Sequence, residues 1–415
     1  MWSMKSNFVD IPTDCPHRER SGWTGDAGVF VKTGLMLQDS YTVFKKWLVE
    51  TRLGQKKNGI IANINPPINK EGGGFSNFLD GSTGWGDAIV IVPYTMYRIY
   101  NDKKILEDNY EAMVNWVSYL SKLAKKKKLK NLFRGNPYII EKGFHWGEWC
   151  QPDVDSGEEL KNVFIKGAPK SATAYYFYSA KLLSEIAEIL DKKDDANKYK
   201  ELASKIREAY INTFTNNGLV ESDRQCDYVR PLEFDLIDMK KENAERLNEM
   251  IIKNDYHLNT GFLSTPFLCP ILCEYGYADT AYKLLLQDTL PSWLYQVKKG
   301  ATTIWENWNG LESGLNASLN HYSYGAVSGW LLSGICGINV INNEITIKPY
   351  PNRLLEYVKG EYDSPLGLIK SAWRYNNDEI EFNISIPSNN KATLVLPSGE
   401  TRVLDCGNHN IKYKE

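Results

Sequence analysis

Apolar residues recur with helical spacing along most of this chain. Between residues 27 and 333 they return every third or fourth position, as at Phe30, Leu37 and Phe44. The predicted helices span residues 30–53, 85–100, 104–124, 172–190, 196–214, 240–252, 264–275, 278–290 and 314–332. Polar segments, several of them rich in glycine and tryptophan, separate these helices at residues 63–84, 144–157, 228–233 and 298–313. Loops of this length often carry binding or catalytic residues.

The spacing changes after Gly337, where apolar and polar residues begin to alternate and Asn, Gly and Asp mark the turns. This pattern predicts strands at residues 339–348, 357–362, 368–375, 380–386, 392–396 and 401–404. The chain is therefore predicted to be mainly α. A helical domain over residues 1–336 is followed by a small antiparallel β-sandwich over residues 337–415.

Composition narrows the classes of function. The chain has 415 residues, enough for two or three domains and a large core. Lys and Arg total 49 and Asp and Glu total 51, so the formal net charge is −2. That balance predicts no nucleic-acid partner and no membrane surface, and the apolar runs are too short to span a bilayer. The one basic run, residues 122–130, is typical of a solvated helix end, with nucleic acid or a partner protein as the alternative.

The cysteines and histidines give no sign of a metal site. The seven cysteines are scattered without a CxxC pair, and none of the five histidines lies near a second one in the sequence. Reduced thiols are typical of a cytoplasmic protein, and the first residues lack the pattern of a signal peptide. We therefore predict a cytoplasmic protein without metal or cofactor.

The segment from Asp14 to Asp26 is unusually dense in polar chemistry. Its thirteen residues, DCPHRERSGWTGD, hold three carboxylates, two arginines, a histidine and a tryptophan, interrupted by proline and glycine. One interpretation is an ion-pair network that fixes a loop. The other is a pocket wall, where a carboxyl group crowded by two others stays protonated near neutral pH and acts as a general acid.

A second segment, GATTIWENWN, places Glu306 between Trp305 and Trp308. Alone it indicates little more than packing. Together the two segments supply the two carboxyl groups that hydrolysis of a glycosidic bond needs. The chain also has 12 tryptophans, more than core packing requires, and indole faces pack on sugar rings. The candidate sugar platforms are Trp23, Trp85, Trp146 and Trp149.

Three segments, DCPHRERSGWTGD, TTIWENW and NHYSYGAV, resemble the signature segments of bacterial α-L-rhamnosidases, glycoside hydrolase family 78. The resemblance implies an (α/α)6-barrel with a C-terminal β-sandwich that hydrolyses terminal α-L-rhamnosides with inversion. It implies Glu19 as general acid and Glu306 as general base. The residues implied to hold the sugar are Asp14, Arg18, Trp23, Asp26, Trp85 and His321, with Trp149 or its neighbour Trp146 as a further wall.

The chain departs from the family pattern at its N-terminus, since Asp14 lies close to residue 1. We therefore expect a barrel that is incomplete at its N-terminus, and either a homodimer or additional N-terminal domains. The expected partner is a rhamnose-containing glycoside or oligosaccharide. Two other interpretations are another (α/α)-barrel glycosidase or lyase, and a truncated, non-catalytic sugar-binding module. The presence of both Glu19 and Glu306 argues against the latter.

Overall fold

The structure, a computed structural model, describes residues 1–67, 79–126, 135–154, 156–313 and 317–414. Its α-helices are α1 (Trp2–Asn7), α2 (Thr24–Leu37), α3 (Tyr41–Leu53), α4 (Ala88–Tyr100), α5 (Lys103–Ala124), α6 (Ser156–Lys166), α7 (Pro169–Ile189), α8 (Lys193–Phe214), α9 (Cys226–Glu233), α10 (Lys240–Lys253), α11 (Thr265–Glu274), α12 (Ala278–Leu286), α13 (Trp293–Lys298) and α14 (Val327–Trp330). The helix α14 continues a 3-10 turn, Ser323–Ala326, and runs into a π-helical end, Leu331–Ile335.

Six helices form a closed inner ring in the described part of the chain. Around this ring α2 contacts α4, then α7, α9, α11 and α14 follow in turn, and α14 returns to α2. The inner helices are buried along most of their length, as expected for helices surrounded by others; α4, for example, begins with the apolar residues Ala-Ile-Val-Ile-Val. The helices α3, α5, α8, α10 and α12 each have a polar face, lie outside the ring and each follow an inner helix. The result is a double ring of helices, which confirms the predicted barrel architecture.

Several element boundaries differ from the sequence-based predictions. Residues 30–53 form two helices, because Gln38 is extended (φ −159°, ψ 151°) and ends α2. Residues 228–233, predicted as a loop, lie in α9 despite Pro231, because the side chains of residues 228–232 are buried against neighbouring helices. Residues 314–316 of the last predicted helix and residues 127–130 of the basic run lie outside the described residues.

The C-terminal region forms two four-stranded sheets. The first contains β5 (Tyr357–Ser364), β6 (Gly367–Asn376), β7 (Glu379–Ile386) and β10 (Gly407–Lys414), all antiparallel in the order β10-β7-β6-β5. The second contains β3 (Ile338–Ile341), β4 (Glu344–Ile347), β8 (Ala392–Val395) and β9 (Thr401–Leu404), in the order β3-β4-β8-β9. The pair β4 and β8 runs parallel, and the other pairs are antiparallel. A short hairpin of β1 (Thr215–Asn216) and β2 (Leu219–Val220) belongs to the helical region.

The two sheets pack face to face as a sandwich, as predicted, and buried side chains alternate with less buried ones along the strands. On β7, Ile380, Phe382, Ile384 and Ile386 are buried, and the residues between them are less so. The sandwich is joined to the end of the inner ring through β6. There Trp373 Nε1 donates to the carbonyl oxygen of Ile335 at 2.8 Å, and Ser371 Oγ donates to that of Cys336 at 2.6 Å.

Among the helices in the described ranges, we find none long and apolar enough to cross a membrane.

Candidate active site

A cavity of about 200 Å³ opens on the face of the barrel where α2, α4, α11 and the last inner helix begin. Its wall contains nine of the ten predicted site residues: Asp14, Glu19, Trp23, Asp26, Trp85, Trp146, Trp149, Glu306 and His321. The tenth, Arg18, contacts two of those nine. The cavity is small for a ligand pocket and suits a single sugar ring.

Two tight backbone features shape the segment that carries Glu19. Two hydrogen bonds join Asp14 to Ser21: Asp14 N donates to the carbonyl oxygen of Ser21, and Ser21 N donates to the side-chain Oδ1 of Asp14, both at 2.9 Å. Gly25, in the first turn of α2, lies against the Trp85 ring, where an added Cβ would come within 2.6 Å of the indole. Glycine at residue 25 therefore allows the polar segment to lie directly on a tryptophan of the cavity wall.

Glu19 reaches the cavity with 36% of its side chain exposed. Its Oε2 accepts a hydrogen bond from Trp23 Nε1 at 2.6 Å, and its Oε1 lies 2.7 Å from Arg18 Nη2. Burial raises the pKa of Glu19, and the nearby charge of Asp14 raises it further against the opposing effect of Arg18. A carboxyl group with a raised pKa is suited to donate a proton.

The pKa of Glu306 is shifted in the opposite direction from that of Glu19. Burial alone would raise the pKa of Glu306, but His321, the backbone N–H of Ser318 and Arg18 together outweigh burial and lower the pKa. Ser318 N donates to Glu306 Oε2 at 2.7 Å, and Glu306 N donates back to Ser318 O at 2.9 Å. The fixed, ionised carboxylate is suited to accept a proton.

One guanidinium group connects the two carboxylates. Arg18 Nη2 lies 2.7 Å from Glu19 Oε1 and 2.9 Å from Glu306 Oε1. Glu19 and Glu306 therefore face each other across Arg18, although 287 positions of sequence separate them.

The floor of the cavity is polar and buried. Asp26 Oδ1 accepts from Ser323 Oγ at 2.7 Å and lies 3.2 Å from His321 Nε2. Burial raises the pKa of Asp26 to about 6, partly offset by His321. Asp14 Oδ2 and His321 Nδ1 are buried and have no hydrogen-bond partner among the described residues. These two atoms retain the capacity to bind hydroxyl groups of a ligand.

Aromatic rings form the opposite wall, with Trp146 at their centre. Ring centroids of Trp23, Trp85 and Trp149 lie 5.7, 6.0 and 4.7 Å from that of Trp146. Trp149 has a left-handed backbone (φ 58°), which is rare for a bulky residue and is more common at functional sites. Both tryptophans considered for the last wall position therefore line the cavity.

A buried carboxylate between Gly147 and Trp149 fixes this wall. Glu148 Oε1 accepts from Ser264 N at 2.8 Å and from Gly261 N at 3.2 Å, and Oε2 accepts from Ser264 Oγ at 3.0 Å. Arg230 Nη1 contacts the same Oε2. The loop before α11 is thereby tied to the loop that carries Trp149.

Sequence reasoning missed two residues of the wall, Leu160 and Phe262. Phe262 lies with its ring 5.0 Å from that of His321, and its N–H donates to Trp149 O at 3.0 Å. Both are apolar residues, and an apolar residue in a cavity wall has the same sequence signal as one in the core. No cluster of side chains suited to a metal ion occurs in the ranges that the structure describes.

Comparison with known proteins gives consistent matches over both regions. Residues 1–335 match the family described as the bacterial alpha-L-rhamnosidase 6 hairpin glycosidase domain, and residues 343–410 match the bacterial alpha-L-rhamnosidase C-terminal domain. An alpha-L-rhamnosidase from Formosa agariphila is 36% identical over 424 residues, covering 99% of this chain and 43% of that protein. One from Streptomyces avermitilis is 33% identical over 410 residues, covering 96% of this chain and 37% of that protein.

Solved structures agree with these sequence matches. A crystal structure of the Streptomyces avermitilis alpha-L-rhamnosidase complexed with L-rhamnose superposes with a TM-score of 0.86 at 31% identity, covering 100% of this chain and 40% of that one. The native enzyme from Aspergillus terreus gives a TM-score of 0.87 at 30% identity, covering 99% of this chain and 48% of that one. The chain thus spans less than half the length of these relatives.

Proposed function

The chain belongs to the bacterial α-L-rhamnosidase family, and from this we propose that it hydrolyses terminal, non-reducing α-L-rhamnosides, with Glu19 as general acid and Glu306 as general base. The observation that carries the proposal is the pair of opposed carboxyl groups in one sugar-sized cavity. The raised pKa of Glu19 favours its protonated form, and the lowered pKa of Glu306 favours its ionised form. Glycoside hydrolysis needs one group of each kind.

The remaining predicted residues are proposed to bind the rhamnose ring. Asp14, Arg18, Asp26 and His321 present acceptors and donors to its hydroxyl groups. Trp23, Trp85, Trp146 and Trp149 enclose its apolar face. A sugar that is epimeric at one bound hydroxyl would leave a buried polar group unpaired, at a cost of about 1–3 kcal/mol.

The purified chain should release L-rhamnose from an aryl α-L-rhamnoside and leave aryl glycosides of other sugars unchanged. L-rhamnose should inhibit competitively, and L-fucose should inhibit far less. Release of a different sugar, or formation of an unsaturated product, would favour another glycosidase or a lyase on the same barrel. Sugar binding without turnover would instead indicate a binding module.

The stereochemical outcome is a separate proposal. Inverting glycosidases hold their carboxyl groups about 6.5–9.5 Å apart to admit water, and retaining enzymes about 5–5.5 Å. Here Arg18 fills the space between Glu19 and Glu306, with an oxygen of each within 2.9 Å of one nitrogen. We propose inversion, with Glu306 as the base that activates the attacking water.

Proton NMR of the first product tests this stereochemistry before mutarotation mixes the anomers. An inverting enzyme releases the β anomer of L-rhamnose from an α-rhamnoside. If the α anomer appears first, Glu306 acts as a nucleophile and the proposed role of base is wrong.

The cysteines and the charge balance support a location and a class of partner. All seven cysteines are free thiols and six are buried, which supports a cytoplasmic location. The balanced charge supports a glycoside rather than nucleic acid as partner. A homodimer, or further domains that complete the relatives' length, is proposed as the native context, and sedimentation of the purified chain tests the dimer.

A further inference from the structure

A second cavity, of about 450 Å³, lies on the same face of the barrel as the first. It is bounded by α6 and by the beginnings of α7 and α9, which are also inner helices of the ring. Consecutive residues of α6 face the two cavities: Glu159 lines the second and Leu160 lines the first. The two cavities are therefore neighbours that share one helical wall.

Most of the charged side chains that line the second cavity are held by partners within its lining. Arg230 contacts Glu148, and Lys170 Nζ lies 2.9 Å from Asp227 Oδ2. Arg224 contacts Gln151 Oε1, and Gln151 Nε2 in turn donates to Glu159 Oε1 at 2.7 Å. A ligand with a full charge would have to break one of these pairs, so the lining favours a neutral, polar ligand.

Two buried polar atoms of this lining have unused hydrogen-bonding capacity. Glu159 and Ser171 are 4% and 5% exposed. Glu159 Oε2 and Ser171 Oγ have no hydrogen-bond partner within the described ranges. Burial also raises the pKa of Glu159 to about 7, so near neutral pH its carboxyl group can either accept or donate a hydrogen bond.

Apolar groups complete the lining. Phe214, Val163 and Pro169 border the same space and offer surface to the C–H groups of a sugar ring. Buried polar groups that lack a partner are costly, and a ligand rich in hydroxyl groups removes that cost.

We propose that the second cavity is a separate binding site for a neutral saccharide, which Glu159 and Ser171 bind through its hydroxyl groups. The site lies outside the cavity that holds Glu19 and Glu306. The proposal therefore stands whether or not the first cavity hydrolyses rhamnosides.

The test is ligand-observed saturation-transfer NMR with D-glucose and D-glucuronate as probes. D-glucose should receive saturation from the protein, and D-glucuronate should receive much less. Glu159→Leu and Ser171→Val should each weaken D-glucose binding about tenfold, as expected for losing a buried hydrogen bond. Asn162→Trp, which places a large side chain at the lining, should abolish it.

Glu158→Leu is the matched control, since Glu158 precedes Glu159 on α6 but is exposed and does not line the cavity. It should leave D-glucose binding unchanged. The proposal is overturned if D-glucose receives no saturation from the parent protein, if D-glucuronate binds more tightly than D-glucose, or if the Asn162→Trp variant, with native circular dichroism, binds D-glucose as the parent does.

Discussion

Two glutamates in one cavity carry opposite pKa shifts because their neighbours differ. Asp14 adds to the effect of burial on Glu19, whereas His321 and a backbone N–H oppose the effect of burial on Glu306. Local electrostatics therefore supports the proposed roles of Glu19 as proton donor and Glu306 as proton acceptor.

Substituting each glutamate by glutamine should therefore give different kinetic patterns. Glu19→Gln should slow hydrolysis of rhamnosides with poor leaving groups by about 10²–10⁴-fold, and slow an activated aryl rhamnoside much less, because that leaving oxygen scarcely needs a proton. Glu306→Gln should slow both alike, since the attacking water needs its base in either case. Steady-state kinetics on the two substrates measures the difference; equal losses in Glu19→Gln would contradict its role as acid.

The pH profile should depend on Arg18. With the proposed roles, activity requires protonated Glu19 and ionised Glu306, so the rate should fall at high pH as Glu19 loses its proton and at low pH as Glu306 gains one. Arg18 lowers the pKa of both carboxyl groups, so Arg18→Met should move both limbs of the profile to higher pH. The control is Arg20→Asn, which removes an exposed cation at a left-handed residue (φ 50°) where asparagine is tolerated.

If the pH profile of the Arg18→Met variant is the same as that of the parent, Arg18 does not affect the pKa values of the two carboxyl groups. Kcat/KM should be used, because its pH dependence reports the free enzyme, the state described by these contacts.

At the residue scale, the sequence predicted residues of the cavity wall where many charged and aromatic side chains lie close together in the chain. The charged side chains that crowd residues 14–26 have no role in a core, so their density indicated a site. Leu160 and Phe262 were missed because an apolar residue has the same sequence signal in a cavity wall as in the core. Their place depends on α6 and on the loop held by Glu148, which only three-dimensional contacts reveal.

At the scale of elements, two glycines on α2 differ in what they touch. A Cβ at Gly25 would meet the Trp85 ring at 2.6 Å, while a Cβ at Gly28 would meet Ala88 Cβ at 3.6 Å, an ordinary contact. We expect Gly25→Ala to displace Trp85, destabilise the protein by about 1–3 kcal/mol and weaken L-rhamnose binding.

Gly28→Ala is the matched control on the same helix. It should be neutral or stabilise by up to about 1 kcal/mol, because alanine favours helix more than glycine does. Thermal unfolding and L-rhamnose inhibition measure both variants. Unchanged inhibition in Gly25→Ala would show that the position of Trp85 does not matter for the sugar.

The predicted elements were right where the apolar periodicity extends over many residues. They were wrong where long-range contacts, not local sequence, determine the secondary structure. The pattern of α5 extends over more than five turns and was predicted almost to the residue. In contrast, α9 is eight residues long and contains Pro231, and its Arg230 is buried beside Glu148. Local propensity opposes such a helix, and its long-range partners stabilise it.

At the scale of the whole molecule, the sandwich stabilises the last inner helix. Removing the residues after the proposed boundary at Cys336 would expose the Ile335 and Cys336 carbonyl groups, which Trp373 and Ser371 now bind. We expect the truncated protein to be insoluble or unstable. A soluble truncation with a changed substrate preference would contradict a purely structural role for the sandwich.

A milder variant tests the same interface without removing a domain. Trp373→Phe should destabilise by about 1–3 kcal/mol, through the lost hydrogen bond and lost packing, with little change in KM. The control is Tyr357→Phe on neighbouring β5, where the side chain is 62% exposed and the change should be close to neutral.

The contact between α14 and α2 closes the inner ring, and it also determines when the candidate active site forms during folding. Arg18 and Glu306 are 288 positions apart, so their contact is among the most nonlocal in the chain. Such contacts carry the entropy cost of closing a long loop and form late. During synthesis a nascent chain presents Glu19 long before Glu306 has been translated. With the roles proposed for these two residues, the chain stays catalytically silent until the final turn of the ring has formed.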